Sequence, residues 1–234
     1  MKKTCGILLN NRDYFIPYVN WLQEAQKFLD FDISGIHAKN SDWTFGEKLM
    51  SFDELIGVSD VVISLGYWKI IKQEDINKVP YGIVNFHHSY RLKFRGRHTA
   101  TWALRHGESV HGSTMHFIDS SLDSGRIIDT DFFEISDGDD AESVFLKSNS
   151  IGLSLLKRNF KNVISGNIVD YKKHSDEYYV YKQKDLSHQI DSSFITNESE
   201  FIRQIKSLTF SDHPLPYVVV DGKTVFLKIE REGK

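Results

Sequence analysis

One cysteine, Cys5, stands among the 234 residues. No intramolecular disulfide can form, and paired-cysteine metal or redox sites are excluded. Cys5 lies in the apolar run Cys5 to Leu9, where it reads as a small core side chain rather than a nucleophile, and a reducing cytoplasm is the expected setting. Positive charge is not in excess. Lys and Arg number 29 against 32 Asp and Glu, a net charge of -3, so there is no bulk attraction to nucleic acid or anionic lipid and any bound anion must be held locally. Long hydrophobic runs are lacking too. Met1-Lys2-Lys3 has the charge of a secretory leader, but the apolar stretch behind it stops at Leu9, too short for a leader core or a membrane span, and no targeting segment is read. The turn Leu9-Asn10-Asn11-Arg12-Asp13 contains no glycine, which disfavours a dinucleotide site, since the backbone there must approach a pyrophosphate. Six of the ten histidines fall between His87 and His116. No His-Glu-x-x-His stretch accompanies them, and the adjacent His87 and His88 diverge on a strand, so no metal is expected.

What is present is ordinary for a globular chain: 40% hydrophobic and 26% charged residues, enough for one full domain with a small addition. Gly6 to Leu9, Ile33 to His37, Val61 to Leu65 and Gly82 to Phe86 read as strands, with a helix over Tyr14 to Leu29. Strands alternating with helices predict an α/β fold with a Rossmann-like, mostly parallel sheet flanked by helices. Arg126 to Glu134 reads as a further strand. Asp139 or Asp140 caps a long helix whose stripe of Ala141, Phe145, Leu156, Phe160 and Val163 is core. Composition turns polar over Tyr171 to Glu177. We place a catalytic core at 1–170 and a small C-terminal α+β appendage at 171–234, with a helix around Glu198 to Leu208 and a final β-hairpin across Asp221-Gly222.

Asn85-Phe86-His87-His88-Ser89 and Ser121-Leu122-Asp123-Ser124-Gly125 carry the chemistry. Asn85 and His87 sit at the carboxyl end of a buried strand, where open α/β sheets form sites, and point to one face while Phe86 and His88 point to the other. Taken singly, His87 reads as a hydrogen-bonded structural residue and Asp123 as a turn opener. Together they offer an amide, an imidazole and a carboxylate, the groups of an acyl-transfer centre. Arg91, Lys93, Arg95 and Arg97 recur every second residue; an extended backbone would present them on one side as a phosphate cradle, and a solvated basic loop is the other reading.

From about Asp60 to Ile128, the stretches Asn85 to Ser89, Phe94-Arg95-Gly96, Trp102-Ala103-Leu104, Gly107-Glu108, Gly112 to Ile118 and Leu122 to Gly125 resemble the folate-dependent formyltransferase family in order and spacing. The resemblance implies that an amine attacks the formyl carbon of N10-formyltetrahydrofolate, with Asn85, His87 and Asp123 catalytic and no metal. It places Tyr67, Trp68, Lys69, Ile70 and Ile71, with Ile118, Asp119 and Leu122, around the donor. His88, Ser89, Arg95, Gly96, Trp102, Tyr179 and Phe210 become the candidate acceptor contacts.

Within the family, the C-terminal region is shorter and less basic than the RNA-binding domain of methionyl-tRNA formyltransferases. His87-His88-Ser89-Tyr90-Arg91-Leu92 departs from the His-Pro-Ser-Leu-Leu-Pro of glycinamide ribonucleotide enzymes. His-His-Ser, Trp102 and the tail from Tyr181 through Phe210 are most similar to the dTDP-sugar N-formyltransferases. That implies a dTDP-linked 4-amino or 3-amino 6-deoxyhexose as the nucleotide-sugar partner, destined for surface polysaccharide such as O-antigen lipopolysaccharide. Family members are often dimers, for which the apolar faces of the hairpin are a candidate surface. A glycinamide ribonucleotide-type enzyme, a formyltetrahydrofolate hydrolase using the same three groups with water, and a non-catalytic folate- or nucleotide-binding module are the alternatives.

Overall fold

Six strands form the central sheet of the computed structural model, in the order β2-β1-β3-β4-β6-β7. The structure describes residues 2–10, 12–40, 42–43, 45–168, 179–191, 193 and 195–229. The expected boundary at residue 170 and the polar stretch at 171–177 lie outside them. The strands are β1 (Lys3–Leu9), β2 (Phe31–Ala38), β3 (Val61–Leu65), β4 (Ile83–His87), β6 (Val110–Phe117) and β7 (Ile127–Glu134). Between and after them come α1 (Arg12–Ala25), α2 (Phe52–Val58), α3 (Gln73–Ile76), the short β5 (Arg95–Gly96), α4 (Thr99–Arg105) and α5 (Ala141–Ile164). The C-terminal region adds β8 (Val180–Tyr181), α6 (Glu198–Leu208) and the hairpin β9 (Tyr217–Val220) and β10 (Lys223–Phe226).

Every residue of β3 is buried, as a strand covered on both faces requires. Ile7, Leu9, Ile63, Leu65 and Phe86 pack against Phe15, Tyr18 and Leu22 of α1 and Leu155 and Phe160 of α5. On the opposite face Leu8, Val62 and Ile83 meet Leu55 and Ile56 of α2. The strand pairs from β2 to β4 are parallel, whereas β6 pairs antiparallel with both β4 and β7. Alternation alone predicts a parallel continuation. The chain departs from it at β6, which runs antiparallel to β4.

Asp140 is the N-cap of α5, accepting from the Ser143 amide at 2.9 Å. Asp139 instead meets Lys147 at 2.7 Å, and hydrogen bonds from Lys147, Ser136 and Ser143 outweigh burial to hold its carboxyl down at about 2. The C-terminal region folds back on the rest of the chain: β8 pairs in parallel with β5, and Thr209, at the end of α6, accepts from the Glu142 amide. Val218 of the hairpin packs with Ile205 and Leu208 of α6, while Val219 and Phe226 remain exposed. Among the described residues no helix is long and apolar enough to cross a membrane.

Candidate active site

The carboxyl ends of β1, β3 and β4 open into one cavity of about 800 Å³, lined there by Asn10, Ser64, Asn85 and His87. The neighbours of β1 lie on either side of it in the sheet, β2 and β3, so the cavity sits where the strand order reverses, the usual crevice of an open α/β sheet.

Alternation along β4 directs its side chains as the sequence predicts. Phe86 meets Tyr18 of α1 edge-on, and His88 stacks on Phe15. On the other side, Asn85 and His87 converge with Asp123. The His87 Nδ1 stands 3.4 Å from Asp123 Oδ2, and its Nε2 is hydrogen-bonded to the Phe94 carbonyl. Both ring nitrogens thus face oxygen atoms. Asp123 Oδ2 also accepts from the Gly96 amide at 2.8 Å. Asp123 takes a left-handed φ of 48°, unusual for a residue with a side chain, and its turn is stapled by Asp119 Oδ1, which accepts from the Ser121 amide and the Ser124 hydroxyl. At Gly125 a Cβ would lie 1.7 Å from the Phe117 carbonyl oxygen, so the loop closes against β6 only with glycine.

His116 completes the constellation and was not singled out from the sequence. It stands opposite Asn85 in the β4–β6 register. Burial pushes its imidazole pKa down, against the opposing pull of Asp123, and the neutral ring donates from Nδ1 to the Phe117 carbonyl at 2.9 Å. Its Nε2 is then the acceptor for Asn85 Nδ2 at 3.3 Å. This orients the Asn85 amide and leaves its second N–H available to a reacting oxygen. Only strand register brings the two residues together, and register is a long-range property.

The donor candidates Tyr67, Trp68, Lys69, Ile70, Ile71, Ile118, Asp119 and Leu122 all line the cavity. Ile70 is 83% exposed and Leu122 49%, so their apolar surfaces stand open at the mouth. These walls fit a flat, largely apolar ring. Of the acceptor candidates, His88, Gly96 and Phe210 line the cavity. Ser89 is fully buried and structural, its hydroxyl accepting from the Phe94 amide. Arg95 lies in β5 and Trp102 stacks on Tyr181, while the exposed Tyr179 bonds Asp185. These four side chains stand outside the lining.

The four alternating cations do not form a cradle. Tyr90–Leu92 is a 3-10 turn with φ of 52° at Arg91, which folds over the Tyr90 ring, and Lys93 pairs with Glu108 at 2.6 Å. Arg97 alone of the four lines the cavity, with Lys69 and Lys182. A side lobe the sequence did not reveal is aromatic: Tyr14 meets Phe145 edge-on at 4.8 Å, Phe145 meets Phe210, and Phe210 stacks on His213 at 4.8 Å. Its members come from α1, α5 and the segment after α6, too far apart in sequence to form a motif. Among the described residues, no group of three or more His, Cys, Asp or Glu could hold a metal ion.

Residues 48–158, which include Asn85, His87 and Asp123, match the family model described as formyl transferase. The chain is 28% identical over 168 residues to the methionyl-tRNA formyltransferase of Caldanaerobacter subterraneus subsp. tengcongensis, covering 70% of this chain and 52% of that one. It spans about half the length of the curated relatives it matches. Among solved structures, a 4-N formyltransferase from Francisella tularensis superposes with a TM-score of 0.84 at 18% identity, covering 99% of each chain. The N-formyltransferase from Helicobacter canadensis, solved with folinic acid and dTDP-3-aminofucose, superposes with a TM-score of 0.78 at 20% identity over 96% of this chain and 86% of that one. The sheet and the C-terminal hairpin agree with these solved structures, and residues 48–158 carry a formyl transferase domain.

Proposed function

We propose that the protein transfers a formyl group from N10-formyltetrahydrofolate to the amino group of a dTDP-linked 4-amino or 3-amino 6-deoxyhexose. In this reading it acts in the cytoplasm, on sugars destined for surface polysaccharide. The observation that carries the proposal is the meeting of Asn85, His87 and Asp123 in a cavity with an apolar donor wall on one side and an aromatic lobe on the other. Solved neighbours that match over nearly the full chain include a sugar N-formyltransferase and an N-formyltransferase with folinic acid and dTDP-3-aminofucose bound. Residues 1–170 are the catalytic core, and the region after them contributes Tyr181, Lys182, Gln183, Phe210 and His213 to the cavity.

The donor supplies an activated formyl carbon. The acceptor amine forms the new C–N bond, and the carbonyl oxygen takes up negative charge. Asn85 Nδ2, held by His116, donates to that oxygen. A preorganised donor of this kind is worth roughly 3 to 4 kcal/mol. The amine must lose a proton and the departing folate nitrogen must gain one. His87, backed by Asp123, is placed to relay it. Arg97 and Lys182 are the cations available to a diphosphate, and the aromatic lobe offers stacking faces for a base or the apolar face of a sugar.

The test is incubation with N10-formyltetrahydrofolate and a panel of dTDP-aminosugars, glycinamide ribonucleotide and methionyl-tRNA, following folate by absorbance and acceptors by mass. A formyl mass gain confined to a dTDP-aminosugar supports the proposal. A gain on another acceptor redirects it within the family, and folate consumption without any gain identifies a hydrolase.

A further inference from the structure

Residues 94–97 are held on three sides. The Phe94 carbonyl accepts from His87 Nε2, the Gly96 amide donates to Asp123 Oδ2 at 2.8 Å, and the Arg97 amide donates to the Tyr181 carbonyl at 2.9 Å. This short segment therefore touches both members of the His87–Asp123 pair, and its outer edge is closed by β8 of the C-terminal region. The approach is tight. Gly96 has φ of 83°, and a Cβ there would lie 2.2 Å from the Tyr181 carbonyl oxygen.

The Tyr181 side chain fixes where that edge sits. Its ring stacks on Trp102 of α4 with centroids 4.2 Å apart and planes within 20°, and its hydroxyl is hydrogen-bonded at 3.0 Å to Nε2 of His106, the residue that ends α4. A two-residue strand pairing has little stability of its own. The stack and the hydroxyl clamp it to a helix that in turn packs on α6. A line of contacts runs from α4 through Tyr181 and Gly96 to the catalytic carboxylate, and through Phe94 to the catalytic imidazole.

We infer that Tyr181 is a positioning residue: it sets the His87–Asp123 geometry from outside the catalytic core, through residues 94–97. The kinetic part of this inference rests on the formyl-transfer reading, and its geometric part does not. Tyr181→Ala removes stack and hydroxyl, whereas Tyr181→Phe keeps the stack. With donor and acceptor supplied, Tyr181→Ala is expected to lower kcat about 10- to 100-fold, the scale of small misplacements at a reacting centre, with donor KM within about threefold of native. Tyr181→Phe is expected to restore kcat to within about threefold.

In parallel, protein labelled with ring-¹³C histidine reports the His87 imidazole resonance, assigned by His87→Gln. It should move in Tyr181→Ala and return in Tyr181→Phe. A kcat in Tyr181→Ala within about twofold of native, or an unmoved His87 resonance, overturns the inference. If the native protein formylates nothing offered to it, the formyl-transfer reading fails, and the resonance alone decides the positioning role. Should Tyr181→Ala not fold, Tyr181→Leu preserves bulk without the stack and carries the same readouts.

Discussion

Asn85 lines the cavity with its amide bonded to His116, so its truncation removes both that bond and the donor offered to a reacting oxygen. Asn85→Ala should fold normally and lose about a hundred- to a thousandfold in kcat by steady-state assay. At the same scale, burial pushes the His88 and His111 imidazoles down to about 3 from an ordinary 6.5, and depresses His116 as well. These rings stay neutral in the folded state. Stability is therefore fully present above about pH 6.5 and falls as pH drops toward 3, because the unfolded chain takes up protons the folded one refuses. Each histidine contributes up to about 1.4 kcal/mol per pH unit in that window. Urea midpoints measured from pH 7.5 to 5 should decline over this range, above the titration of ordinary carboxylates. A flat profile would mean that these rings are solvated.

Loops and caps decide the next scale. Gly125→Ala places a methyl against the backbone carbonyl of Phe117, which cannot yield, so the 119–125 loop must open and take Asp123 with it. The expected result is loss of kcat together with a raised donor KM. Asp140→Ala removes the α5 cap; it should cost about 1 kcal/mol in urea denaturation and leave kcat unchanged. The sequence made the elements themselves legible where local rules govern: β3 from its apolar run, α5 from its cap and stripe, and the hairpin from Asp221-Gly222. It also placed Asn85, His87 and Asp123 correctly relative to the strand and turn that carry them. What it concealed depends on contacts distant in sequence. The antiparallel β6, the pairing of Asn85 with His116, the aromatic lobe from Tyr14, Phe145 and Phe210, and the clamp of β8 on β5 all follow from tertiary packing. The alternating cations misled because positive φ at Arg91 and Leu92 breaks the extension on which their spacing argument relied.

Across the whole molecule, the C-terminal region is part of the cavity rather than an addition to it, since it lines the wall and pairs with β5. The outer face of its hairpin exposes Val219 and Phe226 while Val218 is buried on α6. If that face joins a second copy, as the dimer reading proposes, Phe226→Asp should shift the sedimentation coefficient from dimer to monomer. An unchanged coefficient removes the hairpin from the interface. The central claim is that this cavity moves a formyl group from folate to a nucleotide-linked amine under the direction of Asn85. The most direct measurement is the mass of a dTDP-aminosugar after incubation with N10-formyltetrahydrofolate and either the native protein or Asn85→Ala. The account predicts the gain of one formyl group with the native protein and its near disappearance with the variant. An unformylated sugar beside consumed folate, or equal formylation by the two proteins, would contradict it.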